Sequence, residues 1–190
     1  MHERFRVGAV PPRQGDDMSD WRPLMLAPVV IMAPHCAYAA TYLSVEQAQQ
    51  ILFPGIALKA APTHLSDEQK QAIEQRLGAR LRITDLKLWR APDGAVFIVD
   101  EVIGKHEFIT YAVGIRADGG VKGIEILEYR ESYGYEVRHP GWRGQFVGKT
   151  TAAALELDKD IRNIGGATLS CRHITEGVKR LLITHELALR

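Results

Sequence analysis

Phe108-Ile109-Thr110-Tyr111-Ala112-Val113-Gly114-Ile115, then Asp118-Gly119-Gly120, then Val121-Lys122-Gly123-Ile124-Glu125-Ile126-Leu127-Glu128-Tyr129, is the stretch on which the fold turns. Both apolar runs are rich in β-branched and aromatic residues, and the Asp-Gly-Gly between them is turn chemistry. So short a connection joins strands only as an antiparallel pair, because parallel pairing needs a crossover of about a dozen residues or more. Upstream, Ala95 to Val102 is a further strand run, broken by Ile103-Gly104-Lys105. Arg80 to Arg90 is another: Leu81 and Ile83 alternate on one phase, Leu86 and Leu88 on the other. Ala91-Pro92-Asp93-Gly94 is the turn between these two. The pattern predicts an antiparallel β-meander of about four or more strands.

Helix signals flank the strands. Ser44-Val45-Glu46-Gln47 and Ser66-Asp67-Glu68-Gln69 each fit a capping box. The first predicts a short helix ending near Phe53-Pro54-Gly55, the second a surface helix stopped by Gly78, with Ile73 and Leu77 as its buried edge. Ile174, Val178 and Leu181 recur at i, i+4, i+7 and predict a C-terminal helix from about Ser170 to about Glu186. Two short N-terminal helices and one C-terminal helix packed on the sheet make an α+β fold.

Of the 190 residues, 46% are hydrophobic and 25% charged, enough for one domain with a real core. A net charge of +1 and the lack of interleaved basic and aromatic residues speak against nucleic-acid binding. Residues 1–17 have no periodic pattern and read as disordered or untranslated, with Met18 the more sensible start. The apolar run Leu24 to Ala33, followed by Ala37-Tyr38-Ala39, has the form of a secretory signal peptide cleaved after Ala39. The other reading of that run is a buried core segment. Export leaves residues 40–190 as a single domain and predicts a periplasmic or exported protein. Cys36 falls in the leader, so no disulfide with Cys171 is expected in the mature chain. Cys171, near a helix start, is a small helix residue whose pKa would fall if it were exposed.

Several chemistries find no support. Gly148-Lys149-Thr150 ends like a phosphate-binding loop, but Arg143 stands where that pattern needs glycine. His64, His106, His139, His173 and His185 have no metal-ligand spacing and read as surface or supporting histidines, so no metal is expected. No nucleophile elbow is present either.

Gly165-Gly166-Ala167-Thr168-Leu169-Ser170 is a flexible turn that delivers hydroxyls to a helix N-terminus, where free N–H groups and the helix dipole favour an anion. Taken alone it is also an ordinary Gly-rich turn, with Thr168 or Ser170 as a cap. Before it lies a long aromatic, glycine-rich stretch from Glu131 to Phe146, and such loops are either functional or packed over a core edge. Thr150 to Ile164 connects the two, with a short strand or half-turn near Ala153 to Leu157.

Glu131-Ser132-Tyr133-Gly134, Trp142…Phe146-Val147-Gly148 and Gly166-Ala167-Thr168-Leu169-Ser170 occur in the order and spacing of the FMN-binding domain family. The chain here resembles the G subunit of Rnf-type electron-transport complexes and the C subunit of the sodium-translocating NADH:quinone reductase, over about residues 95–183. The resemblance implies FMN as cofactor, bound through a phosphoester to Thr168. It further implies a site that includes Gly165, Gly166, Ala167, Leu169, Ser170, Glu131, Ser132, Gly134, Trp142 and Phe146. The family's Asp and Ser/Thr positions are Arg162 and Gly165 here, which ties the resemblance to FMN binding more closely than to covalent attachment. Arg162 offers a cation for the phosphate. The implied partners are a flavin transferase using FAD and Mg²⁺ and a membrane-bound redox protein. The implied role is an electron carrier more than a stand-alone enzyme. A small reductase with non-covalent FMN and a flavin-free interaction module are the alternatives.

Overall fold

The computed structural model describes residues 40–190; the expected leader and its cleavage site, with Cys36, lie outside the described residues. The chain order is β1 (Ala40–Thr41), α1 (Val45–Leu52), β2 (Lys59–Ala60), β3 (Thr63–His64), α2 (Asp67–Leu77), β4 (Asp85–Arg90), β5 (Val96–Ile103), β6 (Phe108–Ile115) and β7 (Val121–Tyr129). Short 3₁₀ turns at Tyr135–Arg138 and Gly144–Phe146 bracket α3 (Pro140–Arg143), and α4 (Thr168–Thr184) runs on into a π-helical turn, His185–Leu189. The sheet is antiparallel in the order β1-β7-β6-β5-β4-β2, and β3 also pairs with β4. β2 and β3 share the free edge of β4, separated by Ala61 and Pro62. A proline, having no N–H, belongs at such an edge interruption. The fold is α+β, an antiparallel meander with helices packed on it.

Both N-terminal helices begin as their capping boxes predict: Ser44 and Ser66 each accept from the N–H three residues on, and the glutamine there reaches back. Gly78 closes α2 in the left-handed conformation. The strand expected over Arg80–Arg90 begins only at Asp85. Residues 80–84 leave the ladder because Glu74 of α2 accepts the Leu81 N–H and draws Leu81 inward, while Ile83 stays exposed. The phase change between Ile83 and Leu86 is thus the boundary of the strand.

The sheet has two covered faces. Leu88, Ile98, Tyr111, Val113 and Ile124 pack on one face with Ile174, Val178 and Leu181 of α4 and Ile73 of α2. Phe97, Val99, Ala112 and Leu127 pack on the other with Ala48, Leu52 and Phe53. α1 approaches that second face closely: a Cβ on Gly123 would stand 2.7 Å from a Leu52 methyl. β5 is therefore apolar on both faces and reads as a continuous hydrophobic run.

Strict alternation fails in β7 because of a bulge. Thr110 pairs with Glu128 and Tyr111 with Ile126, so Leu127 is the extra residue. A bulge of one residue turns the chain beyond it to the other face. Leu127 goes to the α1 side, and Tyr129 is carried round to the α4 side, beside the candidate site.

Candidate functional site

α4 begins at Thr168, two residues before the expected start, and its N-cap is Ala167, which has no side chain able to cap. Neither Thr168 nor Ser170 caps the helix. The first-turn N–H groups are left without a side-chain acceptor, which suits an incoming anion. Thr168 is half-buried at the first helical position, and its Oγ1 accepts a hydrogen bond from Asn163 Nδ2 at 3.0 Å. Asn163 Oδ1 is buried with no partner among the described residues. An orphaned buried acceptor costs about 1–3 kcal/mol, and a native structure tolerates it only for a reason.

A cavity of about 360 Å³ opens beside Thr168, within the range of small-molecule sites. α4 forms one wall with Thr168, Arg172, Thr175, Glu176 and Lys179; residues 155–158, with the carboxylates Glu156 and Asp158, form the other. Lys179 Nζ donates to the Ala154 carbonyl at 3.0 Å, whereas the exposed Arg172 guanidinium makes no hydrogen bond among the described residues. The facing loop is strained: Leu155 and Asp158 have φ of 48° and 60°, a region costly for a branched side chain. Asp160 holds that loop in place, accepting from the backbone of Leu155 and Glu156 and pairing with Lys149 at 3.0 Å. Burial works to raise the Asp160 pKa, but the bonds from Glu156, Lys149 and Leu155 outweigh it and hold the carboxyl below its ordinary value. Lys149 is thus a structural cation.

The structure brings the two expected halves of the site together. Gly134, at φ 91°, lies so close to the Gly166–Thr168 turn that a Cβ on it would stand 2.7 Å from the Ala167 methyl. Tyr129 donates its hydroxyl hydrogen to the Tyr133 carbonyl at 2.5 Å and lies 3.0 Å from Ser170 Oγ. Ser170 is therefore buried and engaged from within, while Leu169 points outward. Burial pushes the Tyr129 phenol up to about 12, against the opposing pull of the Ser170 hydrogen bond. Tyr133, Ser132 and Leu169 are exposed around this junction.

The other expected residues stand behind the site. Glu131 accepts the N–H groups of His106 and Glu107 at 2.5 and 2.9 Å and ties the loop to the β5–β6 turn. Burial acts to raise its pKa, and the bonds from Glu107, His106 and Lys105 prevail, so the carboxyl stays ionised below its usual range. Trp142 and Phe146 are core residues in edge-to-face contact at 5.2 Å. Trp142 Nε1 donates to the Arg162 carbonyl at 2.8 Å, and Gln145 Oε1 accepts the Arg162 N–H at 2.8 Å. The aromatic segment thus fixes the backbone at the start of the Gly-rich turn. The Arg162 side chain is exposed and does not line the cavity, and Gly165 has open space where a Cβ would be.

Asn163, Arg172 and Tyr129 emerge only from the structure. Arg172 could have been read from the helical spacing, four residues after Thr168 on one face; the other two depend on the bulge and the turn. Cys171 is fully buried, and burial raises its pKa, the opposite of what an exposed helix start would do. His185, expected at the surface or in a supporting place, is buried, with Nδ1 unpartnered among the described residues. Burial lowers its pKa, and Arg190 and Arg90 add to the effect.

These features coincide with a family assignment. Residues 104–183 match the family model described as FMN-binding domain, while no curated protein matches the chain. The matched segment starts after β5 and takes in β6, β7, the Glu131–Phe146 region and α4 to Ile183. An orphaned amide, a cavity and a guanidinium with no direct partner among the described residues gather at one threonine and suit a phosphate, with Glu156, Asp158 and Glu176 as the opposing charges of the cavity. Residues 104–183, then, match the FMN-binding domain family, and that match supports FMN as the cofactor.

Proposed function

We propose that this chain is an exported electron carrier that holds FMN through a phosphoester to Thr168. The observation that carries the reading is the environment of Thr168. Its hydroxyl stands at the uncapped start of α4, oriented by Asn163, at the rim of a cavity that also presents Arg172. A threonine hydroxyl is a weak nucleophile, so attachment requires a flavin transferase with FAD and Mg²⁺. In that transfer Thr168 Oγ1 bonds to the phosphorus of the FMN half of FAD. The bond from that phosphorus to the bridging oxygen breaks, AMP departs with the electron pair, and the hydroxyl proton passes to solvent. The resulting diester keeps one negative charge, which the first-turn N–H groups and Arg172 are placed to meet.

Bound FMN supplies the one- and two-electron chemistry; the protein supplies orientation and electrostatics. Tyr133 and Leu169, exposed on either side of the Gly134–Ala167 contact, offer apolar surface next to the tether. The expected export is compatible with the fold, because β1 already pairs Ala40 with Tyr129 and cleavage after Ala39 removes none of the described elements. A membrane-bound redox protein is the proposed partner.

Arg162 and Gly165 at the family's Asp and Ser/Thr positions favour a second reading, a small reductase with non-covalent FMN. Acid precipitation of protein made together with a flavin transferase separates the two. Yellow colour kept in the pellet supports the tether; colour released entirely to the supernatant supports the non-covalent reading.

A further inference from the structure

Asn163 lies between the two positions at which this chain departs from its family, and its side chain is the one that meets the Thr168 hydroxyl. Arg162 and Gly165 cannot act on Oγ1: the first is exposed away from the cavity lining and the second has no side chain. Asn163 Nδ2 stands 3.0 Å from Oγ1, and Oδ1 is buried without a partner among the described residues. Packing alone does not explain an amide here, because a leucine of similar size would leave no orphaned oxygen. With Nδ2 donating, a lone pair of Oγ1 is occupied and the hydroxyl hydrogen must point elsewhere, so the threonine rotamer is held in one direction. Asn163 is itself held, since the Arg162 peptide just before it is pinned on both sides by Trp142 and Gln145.

We propose that Asn163 is the positioning residue for the modification of Thr168. It fixes Oγ1 in the direction from which the phosphorus of the incoming flavin nucleotide is attacked, a task the chain assigns to neither Arg162 nor Gly165. The inference rests on the tether proposed above. It adds that the rate of attachment, and not merely the fold, depends on this amide. Misplacing a reacting atom by about 1 Å costs on the order of a hundredfold in rate, so losing the hydrogen bond has a large kinetic effect.

The test uses the full chain, a flavin transferase, FAD and Mg²⁺, with the gain of FMN-phosphoryl mass followed over time by intact-mass spectrometry and thermal unfolding measured alongside. Asn163→Leu removes the orphaned oxygen and keeps the volume, so the variant is expected to unfold at the same temperature or higher while attachment slows about ten- to a hundredfold. Asn163→Asp, whose carboxylate cannot donate to Oγ1, is expected to be slow at neutral pH and to recover as the pH falls and the new carboxyl gains a proton it can donate, a limb the wild type lacks. A folded Asn163→Leu variant modified at the wild-type rate overturns the positioning role, and so does an Asn163→Asp variant as fast as the wild type at neutral pH. A wild-type chain that gains no mass overturns the tether itself, and this proposal with it.

Discussion

Gly134 and Ala167 meet at a distance that leaves no room for a methyl group: a Cβ on Gly134 would lie 2.7 Å from the Ala167 Cβ and 2.6 Å from the Tyr129 hydroxyl. This contact joins the aromatic loop to the turn before α4. Gly134→Ala meets both the positive φ and the clash, and is expected to destabilise the protein by about 2–4 kcal/mol in urea unfolding. Gly165→Ala, where a Cβ meets nothing within 4 Å, is expected to change stability by less than about 0.5 kcal/mol.

Tyr129 makes stability depend on alkaline pH. The unfolded phenol loses its proton near 10.0, whereas the folded one keeps it to about 12. Between these values the unfolded chain binds fewer protons than the folded one, so stability is full below 10.0 and falls as pH rises through the window. Tyr111, buried and hydrogen-bonded to Asp100, is raised as well and adds to the slope. Urea unfolding of Tyr129→Phe is expected to show lower stability at neutral pH and a shallower alkaline decline than wild type.

Of the two arginines near the turn, Arg172 lines the cavity and Arg162 does not. In a Thr168→Val background, where FMN binds only reversibly, Arg172→Ala is expected to weaken FMN binding about tenfold, close to 1.4 kcal/mol for one charge-assisted contact. Arg162→Ala is expected to weaken it less. Fluorescence titration with FMN reads both, and the Arg172 contribution should shrink in high salt.

Much of the fold was legible because its signals are local. The serines at 44 and 66 and the glutamines three residues on are self-contained caps, and the turns at Asp93-Gly94 and Asp118-Gly119 set the bounds of β5, β6 and β7. The start of β4 was not legible, because it is set by a bond from Glu74 across a loop. The order of motifs pointed to the Gly134–Ala167 junction, yet the roles within it depend on distant pairings. The bulge at Leu127 decides which face Tyr129 takes, and so why Ser170 is buried. The amide of Asn163 has no sequence signal at all until the turn folds it onto Thr168.

The tether at Thr168 is tested most directly by intact mass after production with a flavin transferase, wild type beside Thr168→Val. A phosphoester at Thr168 gives a wild-type chain heavier by one FMN-phosphoryl group, with the added mass on the peptide that contains Thr168, and a Thr168→Val chain of unmodified mass. A wild-type chain of unmodified mass, or a Thr168→Val chain that still carries the group, would contradict it.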